Sequence, residues 1–183
     1  LGLVVWLIFG SFYYAWSQRR ALTLNKCAVT LGHAALGFIV LGVLGTFIWR
    51  VGGLRVVRPG DLSPVGHYTL RFDGVVPIYG PNYGAQQATI SVMSGTVPLY
   101  AMHPQKRWYP VSDQQTTEAD IRLNLRDDLY IVLGDRDPVY DPQAWVVRTY
   151  VHPFVSQLWL GFILLAVSGI LAFMATTRIR KRT

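Results

Sequence analysis

The sequence predicts a membrane protein of α-helical transmembrane spans, three in this chain, joined to a small β-rich periplasmic domain built as a barrel or sandwich. Composition is the first reason: of 183 residues, 51% are hydrophobic and only 15% charged, and the mean hydropathy is +0.29. These values exclude a disordered chain and point to a bilayer. Patterning is the second, because the apolar residues gather in three uncharged runs near the two ends. The third is the stretch between the last two runs, which is punctuated by Gly and Pro and alternates with the two-residue period of strands.

The first run covers residues 1–18, the second 27–49 and the third 155–175. A helix rising about 1.5 Å per residue needs about 20 residues to cross a hydrocarbon core of about 30 Å, so the last two are long enough and the first is marginal. The first run begins without methionine and has no basic residue ahead of it. A signal peptide needs such a basic start, so the expectation is a chain cut inside a helix, one piece of a longer or split protein. The predicted order is a span over 1–18, a loop over 19–26, a span over 27–49, an external domain over 50–154, a span over 155–177 and a basic tail over 178–183.

In the external stretch, Tyr68, Leu70 and Phe72 alternate with Thr69, Arg71 and Asp73, as in a half-buried strand. Residues 88–93 and 96–102 flank Ser94-Gly95, a hairpin signal. Residues 128–133 read as a short apolar strand, and Trp145, Val147, Thr149 and Val151 form one face of another. Residues 116–124 read as a short helix, since Thr116 or Thr117 can cap it and Glu118 and Asp120 fall in its first turn.

Charge placement gives the topology. The 17 basic and 10 acidic residues leave +7 and a pI near 9.8. Residues 50–154 hold ten charges of each sign, so the excess lies in Arg19, Arg20 and Lys26 and in Arg178, Arg180, Lys181 and Arg182. With three spans these two clusters share a side, and the positive-inside rule makes that side the cytoplasm. The domain is then periplasmic and the chain a multi-pass protein of the bacterial inner membrane, in contact with lipid. No nucleic-acid role survives this partition, because the one large soluble domain is electroneutral.

His33 is the most informative side chain. It lies about 9 Å inside the second span by helical rise and, apart from the Cys27 thiol at the start of that span, is the only ionisable side chain between Lys26 and Arg50. Ionisable groups inside a bilayer are expensive, so a function is the default expectation. Neutral imidazole suits a metal or haem ligand and equally suits a hydrogen bond to another helix. Gly32 adjoins it and Gly37 lies one turn on, so a flat macrocycle or another helix could approach closely. Cys27 is alone and reads as a small buried or interfacial residue. Lys106, Arg107, Trp108 and Tyr109 could grip an acidic partner or a propionate, or form a solvated strand edge. Gly80-Pro81-Asn82-Tyr83 reads as a turn whose Gly and Asn tolerate positive φ. Arg148 is a candidate ion-pair partner of Glu118 or Asp128.

The order of these strings resembles a known family. Leu31-Gly32-His33-Ala34-Ala35-Leu36-Gly37 is similar to a histidine segment of CcmF, the large membrane protein of cytochrome c maturation in the CcmF/CycK/CcsA haem-handling family. There follow, in compatible order, Gly80-Pro81-Asn82-Tyr83, Lys106-Arg107-Trp108-Tyr109, Thr117-Glu118-Ala119 with Ile121, and Asp128-Leu129-Tyr130 with Leu133-Gly134. Trp145 to Tyr150 then leads through Pro153-Phe154-Val155 into Trp159-Leu160-Gly161. Each string is weak alone, and together they make the match over about residues 25–175 specific.

The resemblance covers only the C-terminal part of that family. It implies that His33 is an axial ligand of an intramembrane b-type haem, with the second ligand from a span outside this chain. It implies work on a substrate haem that is joined to apocytochrome c through thioether bonds, in an assembly with the rest of CcmF, the haem chaperone CcmE and a CcmH-type apocytochrome-handling subunit. The family's tryptophan-rich segment is not found here, since Trp6, Trp16, Trp49, Trp108, Trp145 and Trp159 are scattered. The family's external haem histidines therefore do not carry over to His67, His103 or His152, which read as surface or strand residues. With no acid/base constellation of its own, the chain is expected to be inactive as a haem lyase by itself. The alternatives are a non-catalytic periplasmic docking module for the haem chaperone and the apocytochrome-handling subunit, and an unrelated three-span protein with an external sensor domain.

Overall fold

The computed structural model describes residues 1–21, 23–136 and 141–180. They form two compact units: residues 1–49, 125–127 and 153 onward make a helical unit, and residues 50–124 and 128–152 a β unit.

The helical unit contains α1 (Gly2–Ser17), α2 (Leu24–Ile48) and α3 (Val155–Arg180). Among the described residues, two helices are long and apolar enough to cross a membrane, α2 with 25 residues and α3 over the 23 residues Val155–Thr177. α1 has 16 residues and falls short of a full hydrocarbon thickness if straight. α2 begins at Leu24, with Thr23 as its cap: the Lys26 amide donates to Thr23 Oγ1 at 3.3 Å. The second helix thus starts before the apolar run, and His33 falls in its third turn. α3 continues through Arg180, where a separate tail from 178 was expected; Lys181 and Arg182 lie outside the described residues.

Small residues set the helix contacts. A Cβ added at Gly42 would stand 2.5 Å from Leu158 Cβ and 2.8 Å from the Leu158 backbone, and one at Gly161 2.6 Å from Ile39 Cγ1. Such missing side chains let α2 and α3 approach closely, which in lipid is a main source of helix association. Ser168 Oγ donates to the Ala28 carbonyl at 2.8 Å across the same seam. Gly32 faces Ser168, and Gly37 faces Leu7 and Ile8 of α1. Both glycines beside His33 therefore serve helix packing, the second of the two uses open to them.

The β unit is a two-sheet sandwich. Among the described residues, ten strands run as β1 (Val51–Val57), β2 (Leu62–Val65), β3 (Tyr68–Tyr79), β4 (Gly84–Ser94), β5 (Val97–Met102), β6 (Gln105–Tyr109), β7 (Gln114–Glu118), β8 (Asp120–Arg122), β9 (Asp127–Arg136) and β10 (Trp145–Pro153). One sheet has the order β1-β10-β9-β8; the other is β2-β3-β4-β6-β7, with β5 also on β4. The core lies between them: Leu70, Phe72, Ile90, Val92 and Met102 from one sheet meet Leu129, Ile131, Leu133, Val147 and Val151 from the other. The β4–β5 hairpin pairs Ser94 with Val97, so its two loop residues are Gly95 and Thr96, and Gly95 adopts φ +60°.

The helix expected over residues 116–124 is absent, and β7 and β8 stand there. Thr116 and Thr117 pair across to Arg107 and Lys106 of β6, and β-branched residues fit a pleated surface better than a helix. The two acids expected to serve a helix N-terminus serve strands: Glu118 lies 3.8 Å from Arg107, and Asp120 accepts the His103 amide at 2.6 Å.

Candidate functional site

On the α1–α2 side of the helical unit, Trp6, Leu7, Gly10, Ser11, Tyr14, Val29, Thr30 and His33 line a largely apolar groove of about 340 Å³. Periodicity explains the meeting. Leu7, Ser11 and Tyr14 follow one face of α1 at intervals of four and three residues, and Val29 and His33 are one turn apart on α2.

His33 is an exposed residue, and its Nδ1 sits 2.8 Å from the carbonyl of Val29. A carbonyl only accepts, so Nδ1 carries the proton and the lone pair of the neutral ring is on Nε2. The hydroxyls of Ser11 and Thr30 are tied to their own helices, donating to the Leu7 carbonyl at 2.5 Å and the Lys26 carbonyl at 2.8 Å. The groove therefore offers one imidazole nitrogen in a mainly apolar setting. No cluster of three or more His, Cys, Asp or Glu side chains fit for a metal ion occurs among the described residues. That donor set fits a haem axial ligand, which needs one nitrogen and an apolar cleft, and does not fit a self-contained metal site. Cys27 is a free, half-buried residue near the start of α2.

In the β unit, Lys106, Arg107, Trp108 and Tyr109 lie on β6, which is paired on both sides, with β4 and with β7. The strand-edge reading of these residues is thus corrected. Lys106, Arg107 and Trp108 join Pro77, Tyr79, Gln86, Asp135, Arg136 and Trp145 around a groove of about 380 Å³. Arg107 lies 4.4 Å over the Tyr83 ring. Its pKa is raised, first by a hydrogen bond to the Tyr109 side chain, against desolvation, with Tyr83 and Glu118 adding to the rise. Lys106 forms an ion pair with Asp135, and Trp108 Nε1 is 3.4 Å from Asp113. One cation, Arg107, thus lies over an aromatic ring, while the other, Lys106, is neutralised by Asp135.

The remaining candidates do not converge. His67 stacks on Tyr68, His103 lies near Thr89, and His152 packs against Tyr130 and Tyr150. Glu118 sits 3.8 Å from Arg107, which is the partner the structure gives it in place of Arg148. Gly80-Pro81-Asn82-Tyr83 is the β3–β4 turn, closed by the Gly80 amide on the Tyr83 carbonyl at 2.8 Å. Neither Gly80 nor Asn82 has positive φ. Gly80 instead makes room for the Tyr83 ring, which a Cβ would overlap. The groove residues that sequence reasoning passed over, Gly10 and Tyr14 beside His33 and Asp135 beside Lys106, come from distant parts of the chain and carry no local signal.

Residues 48–153 match the family model described as the CcmF C-terminal beta-sandwich. The chain belongs to the CcmF family. Among CcmF relatives, the cytochrome c-type biogenesis protein Ccl1 of Rhodobacter capsulatus is 35% identical over 175 residues, which is 92% of this chain and 26% of that protein. CcmF of Pseudomonas aeruginosa is 33% identical over 153 residues, 84% of this chain and 23% of the relative. A solved structure titled cytochrome c haem lyase CcmF superposes with a TM-score of 0.73 at 16% identity, covering 93% of this chain and 29% of that one. The chain therefore spans about a quarter of the length of the curated relatives it matches.

Proposed function

We propose that this chain is the C-terminal part of a cytochrome c haem lyase, in which His33 Nε2 is one axial ligand of an intramembrane b-type haem. The observation that carries the reading is the Val29 carbonyl 2.8 Å from His33 Nδ1, which fixes the tautomer and leaves Nε2 to ligate. A b-type haem held by His33 would supply one-electron redox chemistry toward a substrate haem. In this reading Val29 orients the ring, and the mainly apolar lining of the groove borders it. The second ligand comes from outside this chain, so the chain is inactive by itself. CcmE delivers the substrate haem, and a CcmH-type subunit delivers apocytochrome c to the assembly.

Replacing His33 by Gly in the assembled protein should abolish the b-haem absorbance, and added imidazole should restore it. An unchanged spectrum overturns the assignment. Loss without rescue makes His33 a structural contact.

A second reading, favoured by the groove along β6, is a periplasmic docking module for CcmE or the CcmH-type subunit. Its test is capture of those partners by the chain with Arg107→Ala and Trp108→Ala as controls. Capture that needs these side chains and does not depend on haem supports docking.

A further inference from the structure

We propose that the loop joining β8 to β9 is a membrane-surface anchor, with Leu125 inserted at the external boundary of the hydrocarbon and Arg126 set against lipid phosphate. The proposal rests on α3 crossing the bilayer and is independent of haem ligation.

The loop is fastened to the first turn of α3 by its backbone. Ser156 Oγ donates to the Leu125 carbonyl at 2.6 Å, Gln157 Nε2 donates to the same oxygen at 3.2 Å, and the Phe154 amide donates to the Arg126 carbonyl at 3.1 Å. These contacts fix the depth of the loop to the level of residues 154–157. The apolar part of α3, the 23 residues Val155–Thr177, is about 34 Å long against a hydrocarbon core of about 30 Å, so the core boundary falls within about two residues of Val155. Leu125 thus stands where acyl chains give way to headgroups.

Its side chain suits that place and does not suit water. Leu125 is 86% exposed, as is Leu123 of the same loop at 71%, while the Leu125 backbone carbonyl accepts two hydrogen bonds. Next to it the Arg126 side chain is 79% exposed, with only a 3.7 Å approach to the Asp127 carboxylate. An apolar side chain beside a long cation is the pairing that interfacial segments use, the one reaching acyl chains and the other phosphate. At the same level Trp49 and Phe154 meet edge to face with ring centroids 5.8 Å apart, in keeping with an interfacial aromatic belt. Phe154 holds φ +64°, a costly conformation for a non-glycine residue, and it turns the chain into α3 while its amide secures the loop.

The test uses the single native cysteine to advantage. Cys27 is replaced by Ser, and an environment-sensitive fluorophore is placed in turn at Leu125→Cys, Val111→Cys and Ile163→Cys of the chain in nanodiscs of phosphatidylethanolamine and phosphatidylglycerol. Val111 is 96% exposed on the β unit and Ile163 is 61% exposed on α3. Lipids carrying a quencher near the headgroup should quench the Leu125 label several-fold more than the Val111 label, and lipids carrying it deep in the acyl chain should quench Ile163 most. Quenching at Leu125 no greater than at Val111 overturns the proposal. A Leu125 label shielded from water yet unquenched by lipid also overturns it, because a protein partner then covers the loop. An Ile163 label that no lipid quenches removes the membrane crossing itself and is distinguishable from failure of the anchor alone. Arg126→Glu should reduce quenching at Leu125 in anionic nanodiscs, with no change if lipid phosphate is not its partner.

Discussion

Leu129, Ile131 and Leu133 are fully buried at alternate positions of one strand, facing Ile90 and Met102 across the sandwich. A large-to-small change at such a site leaves a cavity that packed neighbours only partly fill. Ile131→Ala should therefore destabilise the β unit by about 2–5 kcal/mol, read as a lowered midpoint of urea unfolding by tryptophan fluorescence. Val76→Ala, at a position half exposed to water, should shift it little. Asp141 offers a pH-dependent case. Its carboxyl is held below the ordinary range, first by the Gln143 amide and then by Arg58, whose own pKa that ion pair raises. A depressed carboxylate contributes stability above its unfolded pKa and loses it as pH falls through the folded value. Asp141→Asn should accordingly lower the melting temperature slightly at pH 7, and the difference should shrink as pH falls below the ordinary carboxylate range and the native acid becomes protonated. A difference that persists at the lower pH would mean that packing, and not charge, is at stake. The residues that carry these effects were half legible in the sequence: alternation marked Leu70, Phe72, Val147 and Val151 as one-faced, and they are buried. The partners of charged residues were not, since Arg58 meets Asp141 through a register that no local rule encodes.

At the scale of elements, the long apolar runs and the strands with strict alternation were readable because one physical signal dominates each. Residues 116–124 show what happens when signals compete. Thr117, Glu118 and Asp120 satisfy the local grammar of a helix start, yet the same side chains satisfy neighbouring strands, and pairing of β7 with β6 decides. Local capping is worth about 1 kcal/mol, less than a ladder of cross-strand bonds with its packing. The His33 segment divides in the same way. Its histidine in an apolar helix was visible from sequence, while the uses of Gly32 and Gly37 were not, because their partners sit on α3 and α1. The helix seam yields a direct prediction. Gly42→Val would drive a branched side chain into the Leu158 backbone, which cannot swing aside, and should destabilise the helical unit by about 1–3 kcal/mol. Gly169→Ala, with open space around its Cβ, should be neutral or stabilising by about 0.5–1 kcal/mol. Thermal melts in detergent, followed by a cysteine crosslink across α2 and α3, separate the two outcomes.

For the molecule as a whole, the orientation we propose rests on where the +7 charge lies. The β unit lies in a stretch of ten charges of each sign, so it exerts no bias, and the decision falls to Arg19, Arg20 and Lys26 at one end and the basic residues after Thr177 at the other. Lys26 is held near the start of α2, its Nζ donating to Gln18 Oε1 at 3.0 Å and to the Ala21 carbonyl at 3.3 Å, so one of these charges is fixed at the helix entrance. Alkaline phosphatase folds only outside the cytoplasm, and Gly95 sits in an exposed two-residue turn that tolerates an insertion. A fusion at Gly95 should therefore be active and one after Arg20 inactive. The reverse pattern would place the sandwich in the cytoplasm, move His33 to the outer half of the bilayer and put the Leu125 loop at the inner face. Replacing Arg19, Arg20 and Lys26 by Asn should weaken the bias without inverting it, because the C-terminal basic cluster favours the same orientation. If that triple variant inverts completely, the first loop alone sets the topology and the tail charges serve another purpose.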